Sequence, residues 1–186
     1  MTKPSANVIR VLAIDPTTRG FGFAVLEGPD RLVDWGVKTV KQDKHAGCLV
    51  KVREIIALYQ PTVLVIENAQ GQGSRRCARV RQLLDGIRDL GVEETIRTRM
   101  FSRTQVGKAL AANGGATKHE IAVAVTKRLP ELARLLPPVR RPWMSEDYRM
   151  SVFDAVALAA THFCVKARRT PAITISGQQV RGSREQ

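Results

Sequence analysis

The sequence predicts an α/β fold built on a five-stranded mixed sheet flanked by helices. Residues 11–14 and 63–66 are short apolar runs, rich in β-branched residues and bounded by turn formers, as is typical of buried parallel strands. Short turns join the first run to two more strand-like segments, which favours an antiparallel meander. A helical pattern fills the interval before the second run, so the chain has room for a crossover that returns it parallel to the first strand.

The first half of the chain is a meander followed by one crossover unit. Pro16 and Gly20 break the chain after the first strand, and Gly28 and Pro29 break it after the second. Apolar residues then recur at every third or fourth position, which is the period of a helix. We place three strands, a helix and a fourth strand at residues 8–14, 21–26, 32–40, 45–59 and 62–66.

The second half alternates helices with one more strand. Ser74, Ser102, Thr117 and Ser145 are residue types that cap helix N-termini, and Glu120 completes a capping box with Thr117. Gly91 should end the first of these helices. We place the four helices and the fifth strand at residues 74–90, 102–111, 117–129, 145–166 and 95–100. Residues 1–166 then form one domain, and residues 167–186 a basic, disordered tail.

Charge is the strongest feature of the composition. The 186 residues carry a formal net charge of +13, and the pI is near 10.5. This favours a polyanionic partner, above all nucleic acid. The three cysteines form no CxxC pair, which argues against a zinc site and for a reducing compartment. No signal-peptide pattern opens the chain and we find no apolar stretch of membrane-spanning length, so we expect a cytoplasmic protein without membrane contact.

Three carboxylates stand where a sheet of this type places its site. Asp15 and Glu67 directly follow the two apolar runs, so they should emerge at the same carboxyl edge if those strands are parallel neighbours. Asp154 opens an apolar, small-residue helix able to lie close to the sheet. Converging carboxylates repel one another unless cations lie between them, and hard oxygen ligands suit Mg²⁺ or Mn²⁺. Taken alone, each acid also has a purely structural explanation. Asp15 can cap a turn, Glu67 can face solvent, and Asp154 can form an ion pair with an arginine.

Basic residues gather near the helix that follows Glu67. Positive charge opposes the dipole of a helix N-terminus, so phosphate binding explains this group better than helix stability does. Lys118, at the start of a later helix, is a candidate phosphate clamp. Trp143 reads as a packing residue, although it stands beside two arginines in a loop able to meet DNA. The predicted DNA contacts are Arg75, Arg76, Arg79, Arg81, Lys108 and Lys118.

The order of these motifs resembles the RuvC-like Holliday-junction resolvases of the ribonuclease-H-like superfamily, from about residue 8 to residue 164. The motifs are residues 14–16 with 20–22, residues 65–68, residues 105–108 with 113–118, and residues 154–159 with 161–162. The resemblance implies a homodimeric, Mg²⁺-dependent endonuclease that cuts branched DNA by two-metal phosphodiester hydrolysis. It assigns Asp15, Glu67 and Asp154 as metal-binding catalytic acids, with Asp15 bridging the ions, and Lys118 as a phosphate-facing base.

The chain departs from the family pattern at three places. The fourth ligand expected one turn before Asp154 falls on Ser151, so either Asp147 supplies that acid from the same helix face or Ser151 holds a metal-bound water. Residues 68–70 lack the aromatic residue that the family places after its glutamate. A lysine expected at position 107 is a glycine, with Lys108 next to it.

Two other functions stay open at this point. One is a nuclease of the same fold that acts on another nucleic acid, such as RNA–DNA hybrids or other branched DNA. The other is a noncatalytic nucleic-acid-binding module, which the complete set of three acids disfavours. An actin-like ATPase is excluded because the chain is too short for two such domains and has no second phosphate loop.

Overall fold

A computed structural model of the chain describes residues 8–70, 76–111 and 116–169. Their five strands form one sheet with the order β3-β2-β1-β4-β5. β1 pairs antiparallel with β2 and β2 with β3, whereas β1 with β4 and β4 with β5 are parallel. The predicted mixed sheet is therefore confirmed. The strands are β1 Arg10–Pro16, β2 Gly20–Glu27, β3 Leu32–Thr39, β4 Val63–Glu67 and β5 Arg97–Phe101.

Helices cover both faces of the sheet. The helices are α1 Lys44–Tyr59, α2 Ala78–Glu93, α3 Arg103–Leu110, α4 Lys118–Arg128 and α5 Met150–Arg169, with a 3₁₀ helix at Pro130–Leu135. One core cluster joins α1 and α2 to the sheet, and the other joins α3, α4 and α5 to its opposite face. Alternate residues of the buried strands therefore face different helices. The cap predicted at Ser102 and the capping box predicted at Thr117 are both present, and Ser102 also forms a capping box, with Gln105.

Two predicted helix starts are wrong. α2 begins at Ala78 with Cys77 at its N-cap and continues past Gly91 to Glu93, while Ser74 lies outside the described residues. α5 begins at Met150, not after Ser145. The amide of Arg149 donates to the Asp147 carboxylate, and the Met150 amide donates to the Asp147 carbonyl, so this stretch turns before the helix starts. Polar side chains of this kind compete with helical hydrogen bonds, which a capping pattern alone does not reveal.

The central helix α5 lies directly on the sheet because Gly22 has no side chain. A Cβ at Gly22 would stand 2.4 Å from the backbone carbonyl carbon and oxygen of Ser151, closer than real Cβ contacts. Residues 155–160 of α5 are all buried. By length and composition, residues 150–167 would also pass for a membrane span, so the prediction that no stretch qualifies was wrong. With 67% of this stretch buried inside the protein, α5 is the core helix of the domain.

Candidate active site

Strand register and side-chain alternation bring the first two acids together. Ala13 on β1 pairs with Val65 on β4, and both pack on the α5 side of the sheet. Two residues further on, Asp15 and Glu67 face that same side at the carboxyl edge of neighbouring parallel strands. Asp15 is 2% exposed and Glu67 6% exposed. The predicted convergence of these two carboxylates is therefore present.

The close contact at Gly22 brings the third acid to them. Gly22 is the β2 partner of Asp15, and the backbone of Ser151 lies against it. Asp154, three residues along α5, consequently lines the same pocket as Asp15 and Glu67. This pocket measures about 80 Å³, a size suited to ions and water molecules rather than to a nucleotide.

An arginine stands between Asp15 and Glu67. The Arg76 side chain is only 17% exposed, and its Nη2 atom pairs with both carboxylates. Its Nε atom donates to Glu67 Oε2 at 2.6 Å, and its Nη1 atom donates to the Pro16 carbonyl at 3.1 Å. Arg76 was predicted as a DNA contact, but here its guanidinium points into the acidic pocket. The structure thus neutralises two acids with a cation from the chain itself.

Asp154 has its own cationic partner. Lys118 Nζ lies 2.7 Å from Asp154 Oδ2 and 2.6 Å from Glu146 Oε1. Burial would lower the pKa of Lys118, but the carboxylates of Asp154 and Asp15 outweigh it and raise that pKa, so the ammonium stays charged. Arg103 reaches over the pocket, with Nε 3.8 Å from Glu67 and Nη2 3.9 Å from Asp154.

Burial also perturbs Asp15. Desolvation is the main cause that raises its pKa, and the charges of Asp154 and Glu67 add to it. Arg76 and Lys118 oppose the rise, and the resulting pKa is about 7. A carboxyl group in this state binds a proton readily near neutral pH unless a stronger cation takes its place.

The pocket's donor set suits a hard divalent cation, but basic side chains already pair with its acids. Asp154 Oδ2 is buried, and its nearest partner among the described residues is the Lys118 ammonium at 2.7 Å. A metal ion that binds this oxygen must therefore share it with Lys118 or displace the ammonium. In the described segments, however, no three His, Cys, Asp or Glu side chains are arranged to hold an ion as they stand. Arg76 separates Asp15 from Glu67, so metal binding requires its guanidinium to withdraw.

The structure places the two candidates for a fourth metal ligand, Asp147 and Ser151, differently from the sequence prediction. Asp147 precedes α5 and forms a two-pronged ion pair with Arg149, at 3.0 and 2.7 Å, which lowers the pKa of its carboxyl group. The prediction that Asp147, Ser151 and Asp154 share one continuous helix face is therefore wrong. Ser151 is buried, and its hydroxyl donates to the Tyr148 carbonyl at 2.7 Å. Asp147 as a ligand stays a prediction without a contact to the pocket.

The remaining basic residues divide by location. Arg79 and Arg81 are exposed on α2, and Lys108 is exposed in the last turn of α3. Arg75 lies outside the described residues.

The interpretation of Trp143 as a packing residue is wrong, because its side chain is 77% exposed.

Sequence reasoning missed Arg103, although a signal was present. β5 runs parallel to β4 and pairs Phe101 with Glu67, so the residues that follow β5 emerge at the acidic edge. Arg103 is the first residue of α3, two positions after that strand. The same rule that located the acids could have located this arginine.

Comparison with known proteins agrees with this geometry. A family model described as crossover junction endodeoxyribonuclease RuvC matches residues 11–162, a span that contains all three acids and Lys118. This chain belongs to the RuvC family. A RuvC-family relative from Pseudomonas syringae pv. syringae, named crossover junction endodeoxyribonuclease RuvC, is 24% identical over 169 residues, which is 87% of this chain and 90% of the relative.

Solved RuvC structures share the fold. Thermus thermophilus RuvC superposes with a TM-score of 0.66 at 23% identity, covering 86% of this chain and 96% of that one. The same protein in complex with a Holliday junction substrate gives a TM-score of 0.65 at the same identity and coverage. The predicted ribonuclease-H-like fold and RuvC resemblance are therefore confirmed.

Proposed function

We propose that this RuvC-family chain is an endonuclease that cuts four-way DNA junctions with the help of divalent metal ions. The observation that supports it most is the meeting of Asp15, Glu67 and Asp154, from two strands and a helix, in one pocket with Lys118 at its rim. Divalent-metal dependence is general in RuvC nucleases. Acids drawn from three separate elements have no shared structural task that explains why all three line one pocket.

Asp15, Glu67 and Asp154 are the residues that would hold the metal, and Mg²⁺ or Mn²⁺ fits their hard oxygen atoms. Bound there, divalent ions would activate water and stabilise the charge that develops on the phosphoryl oxygens. Lys118 is held 2.7 Å from Asp154, so its ammonium is positioned to attract a phosphate to the acids. Arg103, 53% exposed at the pocket mouth, can turn from these carboxylates to the same phosphate.

A cleft beside the pocket offers a path for DNA. Its volume is about 1090 Å³, and it shares Glu67, Arg76, Arg103 and Lys118 with the catalytic pocket. Basic side chains at the mouth of an acidic pocket suit a phosphate backbone that delivers one phosphodiester to the acids. The chain's net charge of +13 supplies the same attraction over longer range.

We also propose a homodimer that acts on DNA in the cytoplasm. A four-way junction has two equivalent strands to cut, whereas the described residues of one chain form one such acidic pocket. Two chains related by a two-fold axis would match the symmetry of that substrate. Light scattering on the purified protein, free and bound to a junction, tests this. We expect a protein mass near 41 kDa, twice the 20.5 kDa chain. A single chain bound to a junction would contradict the proposal.

Cleavage assays test the function directly. With Mg²⁺, we expect the chain to cut a mobile four-way junction faster than flap, duplex or RNA–DNA hybrid substrates. Asp15→Asn and Asp154→Asn keep the side-chain shape but remove the charge, so both should bind the junction and fail to cut it. Cutting at the wild-type rate by either variant would contradict the assignment. Equal rates on all substrates would favour a nuclease of this fold with another target.

Asp147→Asn tests the fourth ligand in the same assay. Because Asp147 pairs with Arg149 and lies outside the pocket, the structure leads us to expect that this variant still cuts. Loss of cutting, with junction binding unchanged, would restore Asp147 as a metal ligand.

A further inference from the structure

The segment between the 3₁₀ helix and α5 forms one wall of the cleft. Pro137, Pro138, Val139 and Arg140 line it, followed by residues 144–147. Arg76, Arg103 and Lys118 line the same cleft near the acids, and Lys118 pairs with Glu146 of this segment. Anything that enters the catalytic pocket through this cleft therefore passes the segment.

This segment carries a concentration of exposed apolar and aromatic surface. Trp143 is 77% exposed, Tyr148 67%, Val139 68% and Met144 42%. Single exposed apolar residues are ordinary, but a group crowded into residues 139–148 marks a contact surface. Trp143 is the largest of them and directly precedes Met144, which lines the cleft.

Local contacts hold the Trp143 ring outward. The Arg141 guanidinium lies 5.7 Å from the ring centroid, in a cation–π arrangement. The Met144 amide donates to the Arg141 carbonyl at 3.0 Å, and Arg140 Nε donates to the Met144 carbonyl at 2.6 Å. These bonds close a turn around Trp143, so its ring is presented on a braced loop.

The chemistry of this surface fits an unstacked nucleobase. The flat indole of Trp143 has two faces: Arg141 lies over one, and the other can stack on a base. Arg140 and Arg141 offer charges for the neighbouring phosphates. Duplex DNA keeps its bases stacked, whereas a branch point leaves bases that can leave the stack. Residues 68–70, which follow Glu67, provide no aromatic side chain for this task.

We propose that Trp143 stacks on an unpaired base at the branch point of a DNA junction, which makes residues 139–148 the element that distinguishes junction from duplex. This inference rests on the proposed function, because it assumes that the cleft binds junction DNA. Stacking on an aromatic side chain is typically equivalent to about a fivefold or greater change in affinity.

Fluorescence and binding on synthetic DNA test the proposal. Trp35→Phe leaves Trp143 as the single tryptophan, and 2-aminopurine is placed at the branch of a four-way junction or in a matched duplex. In EDTA, so that no strand is cut, the junction should quench Trp143 emission and the duplex should not. Trp143→Ala should weaken junction binding about fivefold or more and leave duplex binding unchanged, while Trp143→Phe should retain most of the affinity.

Controls separate this proposal from the function beneath it. Leu58→Ala truncates an exposed side chain on α1, on the other face of the sheet, and should bind like the wild type. If the wild type prefers and cuts junctions but Trp143→Ala binds them equally well, the stacking proposal is overturned and the proposed function stands. If the wild type shows no preference for junctions, both are overturned. Equal melting temperatures for Trp143→Ala and the wild type would show that the variant is folded.

Discussion

Arg76→Gln should destabilise the metal-free protein and increase its affinity for divalent ions. The Arg76 side chain is 17% exposed, and its partners Asp15 and Glu67 are 3% and 6% exposed at their side chains. Removing one partner from a buried ion pair destabilises a protein by about 3–5 kcal/mol. We expect the lower end, about 3 kcal/mol, because Asp15 already has a pKa of about 7 and can take up a proton instead. For a domain of this size that corresponds to a melting temperature lower by about 6–12 °C.

The same free energy should reappear in metal affinity. In the wild type, an ion must displace the guanidinium from both carboxylates, whereas in the glutamine variant it competes there only with a proton on Asp15. If the whole 3 kcal/mol is recovered on binding, Mn²⁺ affinity rises by up to about 100-fold. Calorimetric titration with Mn²⁺ and no DNA measures this, and melting curves with and without Mn²⁺ measure the stability.

Arg79→Gln is the matched control for Arg76. It removes the same charge in the first turn of α2, but its side chain is exposed and lines a different pocket, beside Thr17 and Cys48. We expect its melting temperature and Mn²⁺ affinity to stay near the wild-type values. Equal Mn²⁺ affinity for Arg76→Gln and the wild type would refute the idea that Arg76 competes with the metal.

Three further predictions follow from the same geometry. Burial raises the pKa of Asp15 to about 7, and a carboxyl group must lose its proton to bind metal. Mn²⁺ affinity should therefore rise from pH 5 to pH 7 and level off above pH 8. Titrations that show constant affinity across this range would contradict the prediction. Gly22→Ala should destabilise the protein by about 1–3 kcal/mol and slow DNA cleavage, because a methyl group would push α5 and its Asp154 away from the sheet. A variant with the wild-type melting temperature and cleavage rate would show that the close contact is not needed. Replacing exposed Arg79 and Arg81 together by alanine should weaken DNA binding and reduce its salt slope by about 2, and an unchanged slope would remove α2 from the DNA surface.

Local sequence patterns were sufficient to predict the sheet and the three acids. Asp15 and Glu67 each follow an apolar run, and parallel pairing of those runs makes their convergence a matter of register. Ser102 and Thr117 predicted two helix starts because capping depends only on residues a few positions apart. Strand ends and helix caps of this kind are determined by a few neighbouring residues in the sequence.

The remaining features depend on contacts between distant residues. Nothing near Arg76 indicates that its guanidinium turns toward Asp15, because their pairing joins segments that are separate in sequence. The start of α5 was predicted too early because Ser145 fits a cap, while the ion pair between Asp147 and Arg149 favours a turn instead. Trp143 reads as core by residue type, and only the fold shows it on the surface.

The central claim is that acids from β1, β4 and α5 form a single metal centre. Anomalous diffraction from crystals soaked in Mn²⁺ tests it most directly. We predict manganese within coordination distance, about 2.0–2.6 Å, of Asp15, Glu67 and Asp154, with the Arg76 guanidinium displaced from between the first two. Crystals that diffract well in high Mn²⁺ but show no ion at these carboxylates, or an ion bound only elsewhere, would contradict it.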